Sequence, residues 1–380
     1  MSNETMTGWE RVWAAASGEK PDRVPVVPIF GSYAATYQGM SQGEYYRDLA
    51  DSGLGAMLKT FDEVGGWDAI WGGGVGFDRR YWNLAARYPM EVKEPGTDTP
   101  DDYVIQLHEK EVLTYDDYDQ IADLGYKRFF DSEIIFRVSD YTPENLPGEK
   151  KEIVKNIFSA RALWQQRDVD LYYAFGDVIP FFTLSLGRSL ISFTEDLYYK
   201  PQKIHAALRR MTDEIINEGL KMARHSERKI FFLVCERGSA YHYPLNIFED
   251  FWMKYVREII DAWFSEGIIT NFHLDTDWIK NLPSFKKNLP RHSFILELDS
   301  TTDLIKAREI MGDHCCIKGD VPATLLSLGT PEEVDDYCRK MVREVGRDGG
   351  YILASGCEVP IDTKKENFLA MLNAAKTSFY

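Results

Sequence analysis

The sequence predicts an α/β fold, a closed (β/α)8 TIM barrel with an insertion between strands two and three, and two observations predict it. Short β-rich runs alternate with longer helical stretches, as parallel βα units require. The runs number eight, and charged or ligand-forming residues recur just past their ends, where such barrels gather reactive groups.

In chain order the runs are 24 to 30 (VPVVPIF), 67 to 71 (WDAIW), 170 to 175 (DLYYAF), 229 to 235 (KIFFLVC), 268 to 273 (IITNFH), 293 to 298 (SFILEL), 315 to 318 (CCIK) and 350 to 354 (GYILA). Helical patterning covers 42 to 65, 187 to 226, 246 to 266, 302 to 311 and 331 to 346, with a last helix from about 363 to 377. The interval from about 78 to 166 is too long for one connection. Within it, YPMEVKEPGTDTPDDYVIQLHEKEVLT reads as a small strand pair, 116 to 134 as helical, and 141 to 150 as a Pro-marked loop. We expect residues 1–380 to form a single domain in which this insertion lies as a lid over the C-terminal face.

Composition narrows the function. With 380 residues, 44% of them hydrophobic, the chain can bury a large core. A formal charge of −16 argues against nucleic acid as a partner, because phosphate binding needs a basic surface. No stretch approaches the roughly 18 apolar residues of a membrane span, and the start MSNETMTGWER lacks a signal-peptide core. A cytoplasmic protein is expected. Five scattered cysteines, an odd number, do not make a disulfide framework and are expected to be reduced.

His273, Asp275 and Cys357 carry the sharpest chemical signal. Alternation along a strand puts residues 273 and 275 on one face. A His, a carboxylate and a thiol at two strand ends can converge on a soft divalent ion, most naturally zinc. The bland alternative is that a lone His or Cys fills a core or sits on a loop. The other strand ends carry Gly176-Asp177, Cys235-Glu236-Arg237, Glu297-Leu298-Asp299, Lys318-Gly319-Asp320 and Gly356-Cys357-Glu358. For Asp299 and Asp320 a structural role is as good a reading, and Lys318 is placed to neutralise Asp320. The pairs Trp67 and Trp71, Tyr172 and Tyr173, Phe181 and Phe182, and Tyr241 and Tyr243 are candidates either for a flat apolar pocket or for core and rim packing.

Four stretches resemble the uroporphyrinogen decarboxylase superfamily: SGCEVPIDTKKENFLAMLNAAK near the C terminus, KGDVPATLLSLGTPEEVDDYCRKM, AFGDVIPFFTLSLGRSLISFTEDLYYKPQKIHAAL, and the opening ERVWAAASGEKPDRVPVVP. The resemblance covers most of the chain and is weakest from 78 to 166. True decarboxylases of that superfamily carry an arginine-rich N-terminal segment, whereas the equivalent PIFGSYAATYQGM has no arginine. They also tend to have His where this chain has Cys357.

What remains looks like the zinc- and corrinoid-dependent methyltransferase branch, in which a His-x-Cys at one strand end and a Cys at another hold the metal. His273 and Cys357 match that pattern. Asp275 stands where the branch has its first cysteine, so either a carboxylate ligates zinc or Glu236 completes the sphere. Exchanging thiolate for carboxylate makes zinc a stronger Lewis acid and suits an oxygen-bearing substrate.

The resemblance therefore implies an enzyme that moves a methyl group from a small methylated substrate, first an aryl methyl ether such as a methoxyphenol, to the cobalt of a corrinoid (cobalamin) protein partner. Glu236 or Tyr241 is the expected proton donor to the leaving oxygen. The alternatives are transfer from a methylated corrinoid protein to a thiol or folate, a metal-free decarboxylase, and a non-catalytic binding module on the same fold.

Overall fold

The structure is a computed structural model and describes residues 4–72 and 74–378. Six parallel strands run in sequential order, with β3 (Phe175–Val178), β4 (Ile230–Val234), β5 (Ile269–Leu274), β6 (Phe294–Leu298), β7 (Cys316–Val321) and β8 (Tyr351–Ser355) each paired to the next. Two further segments close the ring. Val27 N donates to Leu353 O at 2.9 Å and Asp68 N to Val26 O at 3.0 Å, so the first run lies between β8 and the second. Tyr172 N donates to Ile70 O at 2.7 Å and Ala174 N to Ile230 O at 3.0 Å, which joins the second run to the third and the third to β4.

The first two runs make isolated bridges rather than full strands. In VPVVPIF, Pro25 and Pro28 have no N–H to give, so the ladder there is interrupted. The third run, expected at 170 to 175, makes a bridge at Leu171, and its regular strand begins at Phe175.

Alternation sorts each strand between two cores. Phe272, Leu274, Leu296, Leu298 and Leu353 point outward into the large apolar cluster under the helices. Ile230, Phe232, Ile269, Ile295, Cys316 and Ile352 point inward and fill the barrel. Val12, Ala15 and Ala16 of the helix Gly8–Ala16 join that inner cluster and plug the N-terminal end. Both faces of each strand are covered, which explains the near-continuous burial of β5 through β8.

Local signals set the helices. Pro331–Glu344 starts at a capping box, Thr330 with Glu333, and has Pro at its first position, while Val334, Cys338 and Met341 form its buried stripe. The expected long helix over 187 to 226 is three, Pro180–Arg188, Leu190–Tyr199 and Pro201–Ala223, broken where Ser189 takes a φ of 67° and where Pro201 begins a new helix. Gly219 lets Trp263 pack against the last of these, since a Cβ there would stand 2.4 Å from the indole.

In the insertion, β1 (Glu91–Lys93) and β2 (Gln106–His108) form the expected antiparallel pair. The helical stretch 116 to 134 is interrupted at Gly125, whose φ is 88°. The stretch 141 to 150 departs from the loop reading, because a 20-residue helix, Leu146–Gln165, starts inside it with Pro in its first turn. Pro147 thus begins a helix, as Pro201 and Pro331 do, because a first-turn N–H has no helical partner to lose. No helix among the described residues is long and apolar enough to cross a membrane.

Candidate metal centre

Inward positions turn from apolar to polar on approaching the C-terminal end of the barrel. The register places His273 beside Glu297 and Glu297 beside Lys318 on three successive strands. His273 Nδ1 lies 2.7 Å from Glu297 Oε1, and Lys318 Nζ lies 2.7 Å from Glu297 Oε2. Asn271 donates to Glu297 at 3.1 Å and accepts from the Tyr172 hydroxyl at 2.8 Å. With Nδ1 engaged by a carboxylate, Nε2 is the ring atom left for a ligand.

Nε2 faces the other two candidates. It is 3.6 Å from Asp275 Oδ1 and 3.9 Å from Cys357 Sγ, and the three donor atoms lie within 4.8 Å of one another. Zinc bonds of about 2.0–2.3 Å in a tetrahedron put donors roughly 3.3–3.8 Å apart, so a small contraction fits the ion. Asp275 Oδ1 is buried without a hydrogen-bond partner, a costly state that a cation relieves. The donor set of imidazole, carboxylate and thiolate is one that zinc accepts, and the possible metal-binding triad is compatible with zinc.

The turn after β5 is built to present Asp275. Thr276 adopts a φ of 75°, rare for a β-branched residue, and is held there by its amide to Asp299 at 3.1 Å and its carbonyl to the Thr302 hydroxyl at 2.8 Å. Asp299 thus has a structural partner. Asp320 also has one, the Tyr337 hydroxyl at 2.8 Å. Lys318 pairs with Glu297 and not with Asp320 as the sequence suggested, because cross-strand neighbours stand closer than residues two apart on one strand.

Burial and charge shape the titrations. Burial, reinforced by the charge of Asp275, pushes Glu236 up to about 7. Burial likewise raises Asp275 and the Cys357 thiol. Burial disfavours a charged His273, but hydrogen bonds to Cys357 and Glu297 override it and hold the ring well above its ordinary value. Glu297 goes the other way, down to about 2, since Lys318 and His273 outweigh its burial.

The triad opens onto a cavity of about 300 Å³. Trp71, Phe77, Tyr81, Trp82, Tyr173 and Phe232 form its walls, with Tyr173 and Phe232 stacked at 4.8 Å. Glu236 lines it without being one of the three clustered donors. Tyr241 does not line it and is 75% exposed, so the structure places one of the two expected proton donors away from the triad. Of the aromatic pairs singled out, only Trp71 and Tyr173 reach the cavity. Tyr172 is tied to Asn271, and Phe181 packs on Phe193 and Tyr243.

Phe77, Tyr81, Trp82 and Tyr88 are cavity residues that the strand-end argument missed, because Phe77 lies just before the insertion and the other three lie within it. Their signal was present as an aromatic cluster in FDRRYWNLAARYPM. Cys357 is the one exposed thiol among the described residues; Cys235, Cys315, Cys316 and Cys338 are buried.

Residues 186–378 match the family described as Uroporphyrinogen decarboxylase (URO-D). Among solved structures, one described as a methyltransferase from Methanosarcina mazei superposes with a TM-score of 0.68 at 17% identity, covering 98% of this chain and 98% of that one. That is a likeness of fold. A B12-independent methionine synthase from Shewanella sp. W3-18-1, in complex with selenomethionine, aligns with a TM-score of 0.47 at 12% identity over 93% of this chain and 97% of the other. No curated protein matches.

Proposed function

This chain belongs to the uroporphyrinogen decarboxylase family, and from that premise we propose that it is a zinc-dependent methyltransferase which takes the methyl group of an aryl methyl ether and delivers it to the cobalt of a corrinoid on a partner protein. The observation that carries this reading is the triad of His273, Asp275 and Cys357 set at an aromatic cavity. The description of the Methanosarcina mazei structure as a methyltransferase supports the same reaction type. Size supports it too. A cavity of about 150 Å³ holds benzene, so about 300 Å³ suits one substituted ring and not a tetrapyrrole.

Zinc held by His273, Asp275 and Cys357 supplies a Lewis acid where negative charge develops on the ether oxygen. A reduced corrinoid on the partner would accept the methyl group as the methyl–oxygen bond breaks, and the electron pair of that bond would stay on the oxygen. Glu236, held near 7 by burial and Asp275, gives the leaving oxygen its proton. Trp71, Tyr173 and Phe232 hold the ring in register with the triad. We read residues 1–380 as one domain, in which the segment 78–166 is a lid that keeps water from the reacting oxygen. The acidic surface makes docking of the corrinoid protein salt-sensitive.

The test is to incubate zinc-loaded protein with guaiacol and reduced cob(I)alamin and to follow catechol release and consumption of the reduced cobalt. Catechol formed one-for-one with methylated cobalamin supports the assignment. A protein that instead methylates a thiol or folate from methylcobalamin, or releases carbon dioxide from a polycarboxylate, belongs to another reaction class.

A further inference from the structure

Among the described residues, no lysine or arginine lines the cavity, whose charged groups beyond the triad are Asp177, Glu236 and Glu358. The nearby cations are already engaged. Lys127 sits 2.6 Å from Asp177 and also bonds Glu218, while Arg237 bonds Glu109 and the Ser185 hydroxyl. An anionic substrate entering here exchanges its water for walls that offer no free cation, whether the wall carboxyls are ionised or not. A zinc ion held by the triad would have its charge balanced by Asp275 and Cys357 and its open position filled by the ether oxygen, leaving no cation for a carboxylate elsewhere on the ring.

Glu358 gives the cavity a directed polar group. Its Oε1 accepts from the Ser32 amide at 2.8 Å and from the Ser32 hydroxyl at 2.6 Å. Gly31 permits this approach, since a Cβ there would stand 2.7 Å from Oε1. Oε2 takes no hydrogen bond from any described residue. One oxygen is therefore anchored and the other is free to accept.

Resting on the methyl-transfer reading above, we propose that Glu358 is a specificity-determining residue: its Oε2 accepts the O–H of a neutral, hydroxyl-bearing aryl methyl ether, and the cavity refuses substrates that carry a carboxylate. A site that hydrogen-bonds a substrate hydroxyl discriminates against the analogue lacking it, and a carboxylate finds no partner to offset its lost hydration.

Binding tests this without any methyl transfer, through quenching of tryptophan fluorescence in the zinc-loaded protein. The ligands are guaiacol, anisole, which lacks the hydroxyl, and vanillate, which adds a carboxylate. Guaiacol is expected to bind about 10-fold or more tightly than anisole and about 100-fold or more tightly than vanillate. In Glu358→Met the advantage over anisole is expected to vanish while anisole binding persists, which also shows that the variant is folded. Equal binding of guaiacol and vanillate overturns the proposal, and so does a preference for guaiacol that survives in Glu358→Met. The comparison of guaiacol with vanillate needs no variant. Selective binding without turnover sinks the methyl-transfer reading alone, whereas demethylation of vanillate as fast as guaiacol sinks the selectivity alone.

Discussion

The two ends of the barrel handle charge in opposite ways. At the N-terminal end, Arg11 bonds Asp22 and Asp68 at 2.6 Å each, and Arg23 bonds Asp68 at 2.9 Å and Glu4 at 2.8 Å. At the C-terminal end, Asp275 Oδ1 is buried without a partner, and Glu236 and Cys357 are both titration-shifted by burial. One end closes its electrostatics and the other leaves it open. The closed end secures the first two runs, which have few ladder bonds, and the open end is the one at which barrels of this fold gather their reactive groups.

The largest effect is expected from the open end. Cys357→Ser, a change at an accessible thiol, should lose stoichiometric zinc by elemental analysis and abolish methyl transfer, with the circular dichroism spectrum unchanged; full activity without metal would sink the mechanism. Asp275→Asn should also lower zinc content and turnover, and a variant equal to the parent in both removes Asp275 from the ligand set.

The matching experiment at the closed end is Arg11→Met, which strands Asp22. It should cost about 3–5 kcal/mol in urea unfolding while leaving zinc affinity within about twofold of the parent. A variant that lost zinc as well as stability would erase the division between the ends.

Glu297→Gln probes the layer beneath the triad. It weakens the hold on His273 Nδ1 and should lower zinc affinity about 10–100-fold in competition with a chelator. An unchanged affinity makes Glu297 and Lys318 a purely structural pair.

The smallest effect concerns pH. Burial would raise Asp22, but Arg11 and the amides of Thr5 and Met6 hold it well below the ordinary carboxylate range. A depressed carboxyl stabilises the fold fully above the unfolded value of about 3.9, and that contribution fades as pH falls toward the folded one. Asp22→Asn should therefore trail the parent in urea midpoint at pH 7 and trail it less at about pH 3. An equal gap at both values means the charge of Asp22 does not stabilise the closed end.

How much of this was legible follows from the range of the interactions. His273, Asp275 and Cys357 could be read from strand ends because alternation and barrel geometry are local rules, and β5 and β8 formed close to where the apolar runs placed them. The partner of Lys318 could not be read, since it depends on the register between β6 and β7. The walls were hidden for a related reason. Tyr81 and Trp82 reach the cavity through the fold of the insertion, not through any period in the strands. Leu146–Gln165 was missed because Pro147 sits in the first turn of a helix, where local sequence reads equally well as a break.

The donors of the triad come from β5, its following turn and the end of β8, while much of the aromatic wall comes from the segment inserted between the second and third runs. The triad and this part of the wall are thus inherited on separate stretches of chain. A descendant can exchange the inserted segment, and with it the shape of that wall, without disturbing the three clustered donors.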